Sequence, residues 1–255
     1  MRVIAINGKA RSGKDTLCLM AQKFLHAHGG GEGWEKRART FPFADSLKRM
    51  VCILLGITME DLNDPDMKEK ARPWLVNLGG DVRERDPDAW VDCASREIDK
   101  AALHGVEYCF VTDLRYFNEL YKLLRRFGDR VGAVRVSASL ETRKGRMGEA
   151  NFRRYVDSGI SKDSSEVQMD VLELPDFKIH SSQREDVTIL RGLVPLIDNN
   201  GSKEEFEAKV TTWWRAAAET GAEDLHAVTS AAYRLSRKLG PEARLMLSEP
   251  MERGE

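Results

Sequence analysis

The sequence predicts an α/β protein in which helices cover both faces of a parallel sheet. Short apolar, β-branched runs alternate with segments of helical periodicity, an order that is typical of parallel strands joined by crossover helices. The first run, residues 3–6, is continuously apolar, as in a strand that is buried on both faces. A glycine-rich loop joins the first of these runs to the first helix.

The predicted elements follow the chain in a regular order. Strands are expected at 3–6, 40–43, 108–112, 131–136 and 195–198. Helices are expected at 15 to about 28, 46 to about 55, 73–83, 87 to about 104, 117–127 and 225 to about 239, and a capping-box pattern opens another at 201–205. Three further segments are expected to be irregular: the glycine cluster 29–33, the polar and basic stretch 140–170, and the end from Gly240.

The composition is that of an ordinary globular protein. The 255 residues include 40 Lys and Arg against 41 Asp and Glu, so no net charge attracts nucleic acid, and a bound phosphate must be held by local geometry. No stretch approaches the roughly 20 apolar residues of a membrane span, and the N-terminus reaches glycine too early for a signal peptide. The four cysteines form no CxxC pair, which favours reduced thiols in a cytoplasmic protein over disulfides or zinc.

The strongest local signal is the segment GKARSGKDT at residues 8–16, which has the glycine and lysine spacing of a Walker A loop. Glycines let successive backbone N–H groups point at an anion, and the following helix directs its positive end at the same place. Lys14 would reach the β- and γ-phosphates of ATP. The candidate ATP-binding residues are Gly8, Lys9, Ala10, Arg11, Ser12, Gly13, Lys14, Asp15 and Thr16.

One position departs from the Walker A pattern. Asp15 stands where Ser or Thr usually follows the lysine, and Thr16 comes next. The carboxylate could hold Mg²⁺ directly or through water, or it could face the acceptor of the phosphate, and the sequence leaves these alternatives open. Asp15 and Thr16 are therefore the candidate metal-binding residues, with ATP and Mg²⁺ as the expected cofactors.

Charged residues also cluster after three predicted strands, where ligands bind in open parallel sheets. These clusters contain Asp45 and Lys48, then Asp113, Arg115 and Glu119, then Arg143, Lys144 and Arg146. The planar, permanently charged fork of arginine clamps phosphate oxygens at two points. Arg115 is therefore expected to hold an acceptor phosphate.

Structural alternatives exist for four of these residues. Asp113 and Glu119 could instead be a helix N-cap and a first-turn carboxylate. Arg143 and Arg146 could be solvated charges, or part of a mobile basic lid that closes over the transferring phosphate.

The segment 78–90, LGGDVRERDPDAW, is predicted to be a glycine- and charge-rich joint between two helices. It is either a plain helix cap, with Asp86 before Pro87, or a wall of the acceptor site. In the second case Arg83 would contact phosphate, and Trp90 would pack or offer a stacking surface.

Five blocks of the chain resemble, in the same order, the deoxynucleoside monophosphate kinases of tailed bacteriophages. GKARSGKDT resembles that family's variant P-loop with aspartate after the lysine, and FADSLKRM resembles its Phe-Ala-Asp-Pro-Leu-Lys block, with Ser46 in place of proline. LGGDVRERDPDAWV resembles a Leu-Gly-Thr-Asp block, VTDLRYFNEL an Asp-x-Arg-x-x-Asn-Glu block, and IDNNGSKEEFEAKV the closing Asn-Gly-Ser block. Together the blocks span residues 1 to about 210.

The resemblance implies a three-layer α/β/α P-loop NTPase fold of the nucleoside-monophosphate-kinase type, with inserted lid and acceptor-binding helices. It implies a cytoplasmic enzyme, in the host cytoplasm if phage-encoded, that uses Mg·ATP to convert (deoxy)nucleoside monophosphates to diphosphates. The implied partners are these small molecules, without nucleic acid or membrane, and a homodimer is left open. With the residue patterns above, the candidate catalytic residues are Lys14, Asp15, Arg115, Arg143 and Arg146. The candidate substrate-binding residues are Arg11, Asp45, Lys48, Arg83, Trp90, Asp113, Arg115 and Glu119.

The chain departs from that family in three places. Asp163-Ser164-Ser165-Glu166 stands where the lid usually carries His-x-Ser-Glu, residues 174–193 look inserted, and the tail beyond about 215 has no counterpart. The predicted division is a kinase domain at 1–215 and a C-terminal helical extension at 216–255. Within the kinase domain the acceptor-binding helices are expected at about 45–105 and the lid at about 140–170.

Two rival functions belong to different classes. A kinase for another phosphorylated acceptor, similar to phosphomevalonate or dephospho-coenzyme A kinase, would share the loop but would need no flat slot for a base. Four aromatic residues favour a base: Trp74, Trp90, Tyr116 and Phe117. A non-catalytic nucleotide-binding regulator would need the loop but not the acceptor arginines, Arg83 and Arg115.

Overall fold

The computed structural model describes residues 1–29, 34–158, 168–219 and 225–239. Within these ranges the strands are β1 (Arg2–Asn7), β2 (Ala38–Thr40), β3 (Tyr108–Leu114), β4 (Val131–Ser137) and β5 (Leu196–Asp198). The helices are α1 (Lys14–Gly29), α2 (Trp34–Arg37), α3 (Ala44–Leu55), α4 (Pro65–Arg85), α5 (Ala89–Leu103), α6 (Phe117–Phe127), α7 (Leu140–Met147), α8 (Glu149–Asp157), α9 (Ser181–Leu193), α10 (Lys203–Glu219) and α11 (Leu225–Lys238). Short 3₁₀ turns lie at Asp61–Asn63, Gly128–Arg130, Gln168–Leu172 and Asp176–Lys178. Among the described helices, none combines the length and the apolar character that crossing a membrane requires.

The strands pair in parallel and form one five-stranded sheet in the order β2-β3-β1-β4-β5. The central strand is β1, which pairs with β3 on one side and with β4 on the other. Val3 and Ala5 of β1 belong to one buried cluster, whereas Ile4 and Ile6 belong to another on the opposite face. Burial on both faces explains why this strand is continuously apolar in sequence.

Helices cover both faces of the sheet. On one face, α1 and α10 bury residues such as Leu17, Phe206 and Trp214 against the strands. On the other face, α5, α6, α9 and α11 contribute to the larger core cluster. The predicted α/β architecture, a parallel sheet with helices on both sides, is therefore confirmed.

Several predicted elements have the expected bounds. The structure begins and ends α6 at the predicted residues, and β1, β4 and β5 match to within one residue at either end. The predicted capping box is also present, because Ser202 N donates to Glu205 Oε2 and Glu205 N donates to Ser202 Oγ, each at 3.2 Å. Residues 30–33 of the predicted glycine loop and the tail from Gly240 lie outside the described residues.

The helix predicted at 73–83 is wrong at its start, because α4 begins at Pro65. Asp64 accepts hydrogen bonds from Asp66 N at 3.0 Å and Met67 N at 2.9 Å, and Pro65 takes the first helical position. This arrangement is a strong N-terminal signal, and the helix continues through Pro73 in its interior.

The predicted joint at 78–90 is also wrong, because residues 78–85 continue α4 and only 86–88 turn towards α5. Gly79 lies where α4 packs against α3, and a Cβ at this position would lie 2.9 Å from Leu47 Cδ2. Glycine therefore permits the close approach of two helices here rather than a break between them.

The bounds of β2 and the structure of the basic segment after β4 also differ from the predictions. The second strand is Ala38–Thr40 rather than 40–43, although Phe41 N still donates to Phe110 O at 2.7 Å. Much of the segment predicted to be irregular forms α7 and α8, and the Ser139 side chain caps α7 by accepting from Thr142 N. Residues 159–167 of the predicted lid, including Asp163-Ser164-Ser165-Glu166, lie outside the described residues.

Candidate functional site

At two positions in the loop between β1 and α1, the backbone has a conformation that favours glycine. Gly8 has φ 149° and Gly13 has φ 109°, both in the region that favours glycine. A Cβ at Gly8 would lie 2.5 Å from Val136 O and 2.6 Å from Ser12 Oγ, and a Cβ at Gly13 would collide with the side-chain amide of Asn199. The loop closes tightly through a hydrogen bond from Ser12 N to Lys9 O at 3.1 Å.

Polar and charged side chains lie close to the backbone of this loop. Ser12 is 1% exposed, and its Oγ has no hydrogen-bond partner within the described residues. Lys14 Nζ donates to Gly8 O at 2.6 Å and to Lys9 O at 3.0 Å, so its ammonium group lies directly against the loop. Asp15 and Thr16 are exposed in the first turn of α1. The loop therefore gathers an ammonium group, a buried hydroxyl and the start of a helix.

Two arginines of α7 reach the same loop. Arg146 Nη1 donates to Ser12 O at 3.2 Å, and Arg143 Nη1 lies 3.5 Å from Ala10 O. Arg143 is 6% exposed, and its Nε has no hydrogen-bond partner in the described part of the chain. The alternative that Arg143 is a solvated charge is therefore wrong, and both arginines lie beside the phosphate-loop candidate.

Lys9 of the loop belongs to an ion-pair network that the sequence patterns did not predict. Its Nζ lies 2.6 Å from Asp170 Oδ2, and the other carboxylate oxygen of Asp170 lies 2.6 Å from Arg135 Nη2. Arg135 is 2% exposed and also binds Asn7 and Glu173. An arginine within the apolar run VGAVRVS was the available signal, since a buried charge requires partners.

The second half of the site follows β3. Asn7 of β1 is paired with Leu114 of β3, and Asn7 Nδ2 donates to Leu114 O at 2.7 Å. Gly8 and Arg115 therefore leave neighbouring strands, which lie about 4.8 Å apart, at the same edge of the sheet. This register brings the half-buried Arg115 to the same edge of the sheet as the loop.

Asp113 lies within β3, not after it as predicted. Its carboxylate caps α3 and not α6, the helix that follows β3. Oδ1 accepts from Phe43 N at 2.8 Å and Oδ2 accepts from Ala44 N at 2.9 Å, at the start of α3. Burial raises the pKa of the Asp113 carboxyl, although these two N–H groups and Arg115 oppose the shift. The helix-cap alternative is thus observed, but the helix is α3.

Glu119 has the predicted position of a first-turn carboxylate in α6. It is 3% exposed, and its Oε2 accepts from Arg115 N at 2.8 Å and from Tyr116 N at 3.0 Å. Burial raises the pKa of Glu119 to about 7, opposed by the N–H of Arg115 and by the charge of Arg83. The guanidinium of Arg83 lies over the Tyr116 ring at 4.9 Å. Arg83, Arg115 and Glu119 are therefore neighbours.

The other predicted substrate-binding and aromatic residues differ in burial and in their contacts. Asp45 and Lys48 form an ion pair of 3.2 Å in the first turns of α3, and Arg11 is exposed with φ 61°. Trp90 is buried, and its Nε1 donates to Gly79 O at 3.3 Å, so it packs between helices and offers no stacking surface. Phe117 is also fully buried, whereas Trp74 is 48% exposed.

The described residues contain no group of three or more His, Cys, Asp or Glu side chains placed to share a metal ion. The four cysteines are free thiols, and burial raises the pKa of Cys18 and of Cys109 to about 12. Burial therefore keeps the thiols of Cys18 and Cys109 protonated at neutral pH.

The fold and this edge of the sheet define an α/β protein with a glycine loop at the end of its central strand. No family model matches the chain, and no curated protein matches it significantly. Among solved structures, it is similar to the crystal structure of TT1252 from Thermus thermophilus, at 19% sequence identity and a TM-score of 0.39. That similarity covers 86% of this chain and 98% of the TT1252 chain.

Proposed function

We propose that this chain is an ATP-dependent phosphotransferase that converts (deoxy)nucleoside monophosphates to diphosphates. The observation that carries the proposal is the loop at 8–13, whose glycine backbone, buried Ser12 hydroxyl and adjacent Lys14 lie between the central strand and α1. Such a loop binds phosphate through backbone N–H groups and the positive end of the following helix. The fold is accordingly proposed to be of the P-loop NTPase type.

The donor half of the reaction uses the loop and α7. Lys14 moves its ammonium from the loop carbonyls to the β- and γ-phosphates, and the Ser12 hydroxyl, otherwise unpartnered within the described chain, gains an acceptor. Mg²⁺ that arrives with ATP would neutralise the β,γ-oxygens, and the exposed oxygens of Asp15 and Thr16 are ligands that this ion prefers. Arg143 and Arg146 add positive charge beside the transferring phosphoryl group.

The acceptor half of the reaction uses the end of β3 and the helices α3 and α4. Arg115 follows the strand next to β1 and holds the acceptor phosphate in line with the γ-phosphate, with Arg83 nearby. Asp113 supports this half indirectly, because it fixes the start of α3, from which Lys48 projects. No covalent intermediate is needed, because positioning and charge stabilisation suffice for phosphoryl transfer.

A direct assay tests the proposal. The purified protein is incubated with Mg·ATP and with each nucleoside and deoxynucleoside monophosphate in turn, and ADP release is followed. Turnover on one or more of them is expected, and the pattern gives the base and sugar preference. Silence across the panel, with ATP still bound, would contradict a nucleotide acceptor and would direct the search to acceptors such as phosphomevalonate.

The variant Lys14→Met tests the donor half. We expect a loss of turnover of at least about 100-fold, because methionine removes the ammonium group that is proposed to contact the β,γ-oxygens directly. Lys23→Met is the matched control, since Lys23 lies on the same helix and is exposed. Both variants should show the circular dichroism spectrum of the wild type. A near-normal rate for folded Lys14→Met would refute the donor assignment.

The variant Arg115→Ala tests the acceptor half. We expect the KM for the monophosphate to rise by about 10- to 100-fold, the cost of losing a charge-assisted contact, while the KM for ATP changes little. Arg85→Ala is the control, because Arg85 is an exposed arginine in the last turn of α4. Equal effects of Arg115→Ala on both substrates would exclude a specific role at the acceptor.

A further inference from the structure

Asn199 lies at the point where three elements of the site meet. It directly follows β5, is 6% exposed, and its backbone N–H donates to Ser137 O at the end of β4 at 2.8 Å. The backbone of Asn199 is therefore fixed to the sheet, and its side chain projects from a rigid position towards the loop.

One end of the Asn199 amide contacts the phosphate loop. Nδ2 donates to Ser12 O at 2.7 Å, in a buried hydrogen bond that spans most of the chain. The same nitrogen occupies the space that a Cβ at Gly13 would need. The loop therefore has its shape at Gly13 partly because Asn199 packs there.

The other end of Asn199 contacts Arg146 of α7. Arg146 Nη2 donates to Asn199 O at 2.7 Å and to Asn199 Oδ1 at 3.2 Å. Arg146 Nη1 donates in turn to Ser12 O at 3.2 Å, the carbonyl that Asn199 also binds. A primary amide suits this position because it offers a donor to the loop and an acceptor to the guanidinium at once.

We propose that Asn199 is a positioning residue that holds the Arg146 guanidinium against the phosphate loop. The inference rests on the proposed phosphotransferase function and adds a residue outside the phosphate loop, α7 and the acceptor cluster. A guanidinium already fixed beside the phosphates loses little conformational freedom when charge develops during transfer, so its stabilising effect is larger than that of a mobile arginine.

The attachment of α7 does not depend on Asn199. The neighbouring Asn200 accepts at Oδ1 from Ser139 N at 2.7 Å and from Thr142 Oγ1 at 2.9 Å, which fixes the start of the helix. Removal of the Asn199 side chain should therefore take away the Oδ1 contact of Arg146 and leave its bond to the Asn199 carbonyl, while α7 keeps its place. This separates a positioning role from a purely structural one.

A double-mutant cycle on the full chain tests the proposal, with the variants Asn199→Ala, Arg146→Ala and both together. We expect Asn199→Ala to lower kcat by about 3- to 10-fold, the effect of one lost hydrogen bond to Arg146, with little change in the KM of the monophosphate. The double variant should be no slower than Arg146→Ala alone. Asn151→Ala, which removes an exposed asparagine of α8, is the control and should be neutral. Independent, multiplicative effects on kcat, or a lowered melting temperature with unchanged kcat, would overturn the proposal.

Calorimetric titration of the same four proteins with ATP alone separates this inference from the proposed function. If the wild type binds ATP but phosphorylates no monophosphate, the proposed acceptor is wrong. The positioning role is then supported if Arg146→Ala loses ATP affinity and the double variant loses no more than Arg146→Ala alone. It is overturned if the losses of the two single variants multiply in the double variant, or if neither single variant loses affinity.

Discussion

At the scale of single residues, folding alters the ionisation of Glu119. Its carboxyl group is 3% exposed and accepts two backbone hydrogen bonds at the start of α6. Burial raises its pKa from 4.5 to about 7, and the nearby Asp113 carboxylate acts in the same direction. Arg83 opposes the shift but does not cancel it. The folded protein therefore keeps Glu119 protonated at a pH where the unfolded chain has already lost the proton.

This difference predicts a pH-dependent stability that Glu119→Gln should remove. Below pH 4.5 the Glu119 carboxyl group is protonated in both the folded and the unfolded chain. Between pH 4.5 and about 7 it ionises only in the unfolded chain. The free energy of unfolding therefore falls as pH rises through this range. The total loss is on the order of 3 kcal/mol. Urea unfolding of both proteins from pH 4.5 to 8 measures it, with the wild type losing more stability than the variant, whose amide oxygen still accepts a backbone hydrogen bond. Parallel stability curves would show that burial does not shift this group.

The residues of the glycine loop at 8–13 could be predicted from sequence, whereas several of their partners could not. The loop is local, because two glycines and a lysine at fixed spacing between a strand and a helix leave few other conformations. Asp170 and Asn199 contact that loop across more than a hundred residues of sequence, and no local pattern records such a contact. Asn199 was present in the closing block of the family resemblance, but nothing in the sequence indicated its contact with Ser12.

At the scale of elements, the predictions were accurate where one face of a segment is strongly apolar. The helix α6 buries Leu120, Leu123, Leu124 and Phe127 at helical spacing, so its bounds were predicted correctly. The helix α4 buries little of its surface, and it contains Pro73 and Gly79. Composition therefore indicated a break in α4.

The start of α3 shows why helix ends are hard to predict. Phe43, which precedes α3, provides no side-chain cap, and the N–H groups of Phe43 and Ala44 instead donate to Asp113 of β3. Unsatisfied N–H groups at a helix start need an acceptor, and here it comes from a strand about seventy residues later in the chain. The sequence indicated that Asp113 was a cap or a ligand, and only the fold identifies which helix it caps.

At the scale of the whole molecule, two segments without counterparts in the resembled family are part of the main core. The helix α9, within 174–193, buries Val187 and Leu190, and α11, beyond 215, buries Val228 and Leu235 in the same cluster. The buried carboxylate of Asp186 in α9 joins them through an ion pair with Arg234 of α11 at 2.6 Å. Both helices therefore cover the sheet face that α6 also covers.

The end of α11 is also connected to the glycine loop at 8–13 through one short segment. Gln168 Nε2 donates to Leu239 O at 2.5 Å, and Gln168 Oε1 accepts from Phe117 N at 2.8 Å. Two residues later, Asp170 binds Lys9 of the loop and Arg135 of β4. The 3₁₀ turn Gln168–Leu172 thus contacts α6, the end of the C-terminal helix and the glycine loop.

If α11 is part of the core, Leu235→Ala should destabilise the whole protein in a single transition. Leu235 is fully buried, and removing its side chain should lower the free energy of unfolding by about 2 to 5 kcal/mol through lost burial and the cavity left behind. Arg237→Ala is the matched control, because Arg237 lies on the exposed side of the same helix and should cost less than about 0.5 kcal/mol. Chemical unfolding followed by circular dichroism measures both. A loss for Leu235→Ala as small as the control's, or a separate early transition for α11 alone, would show instead that this helix is an appendage that the sheet and the site do not need.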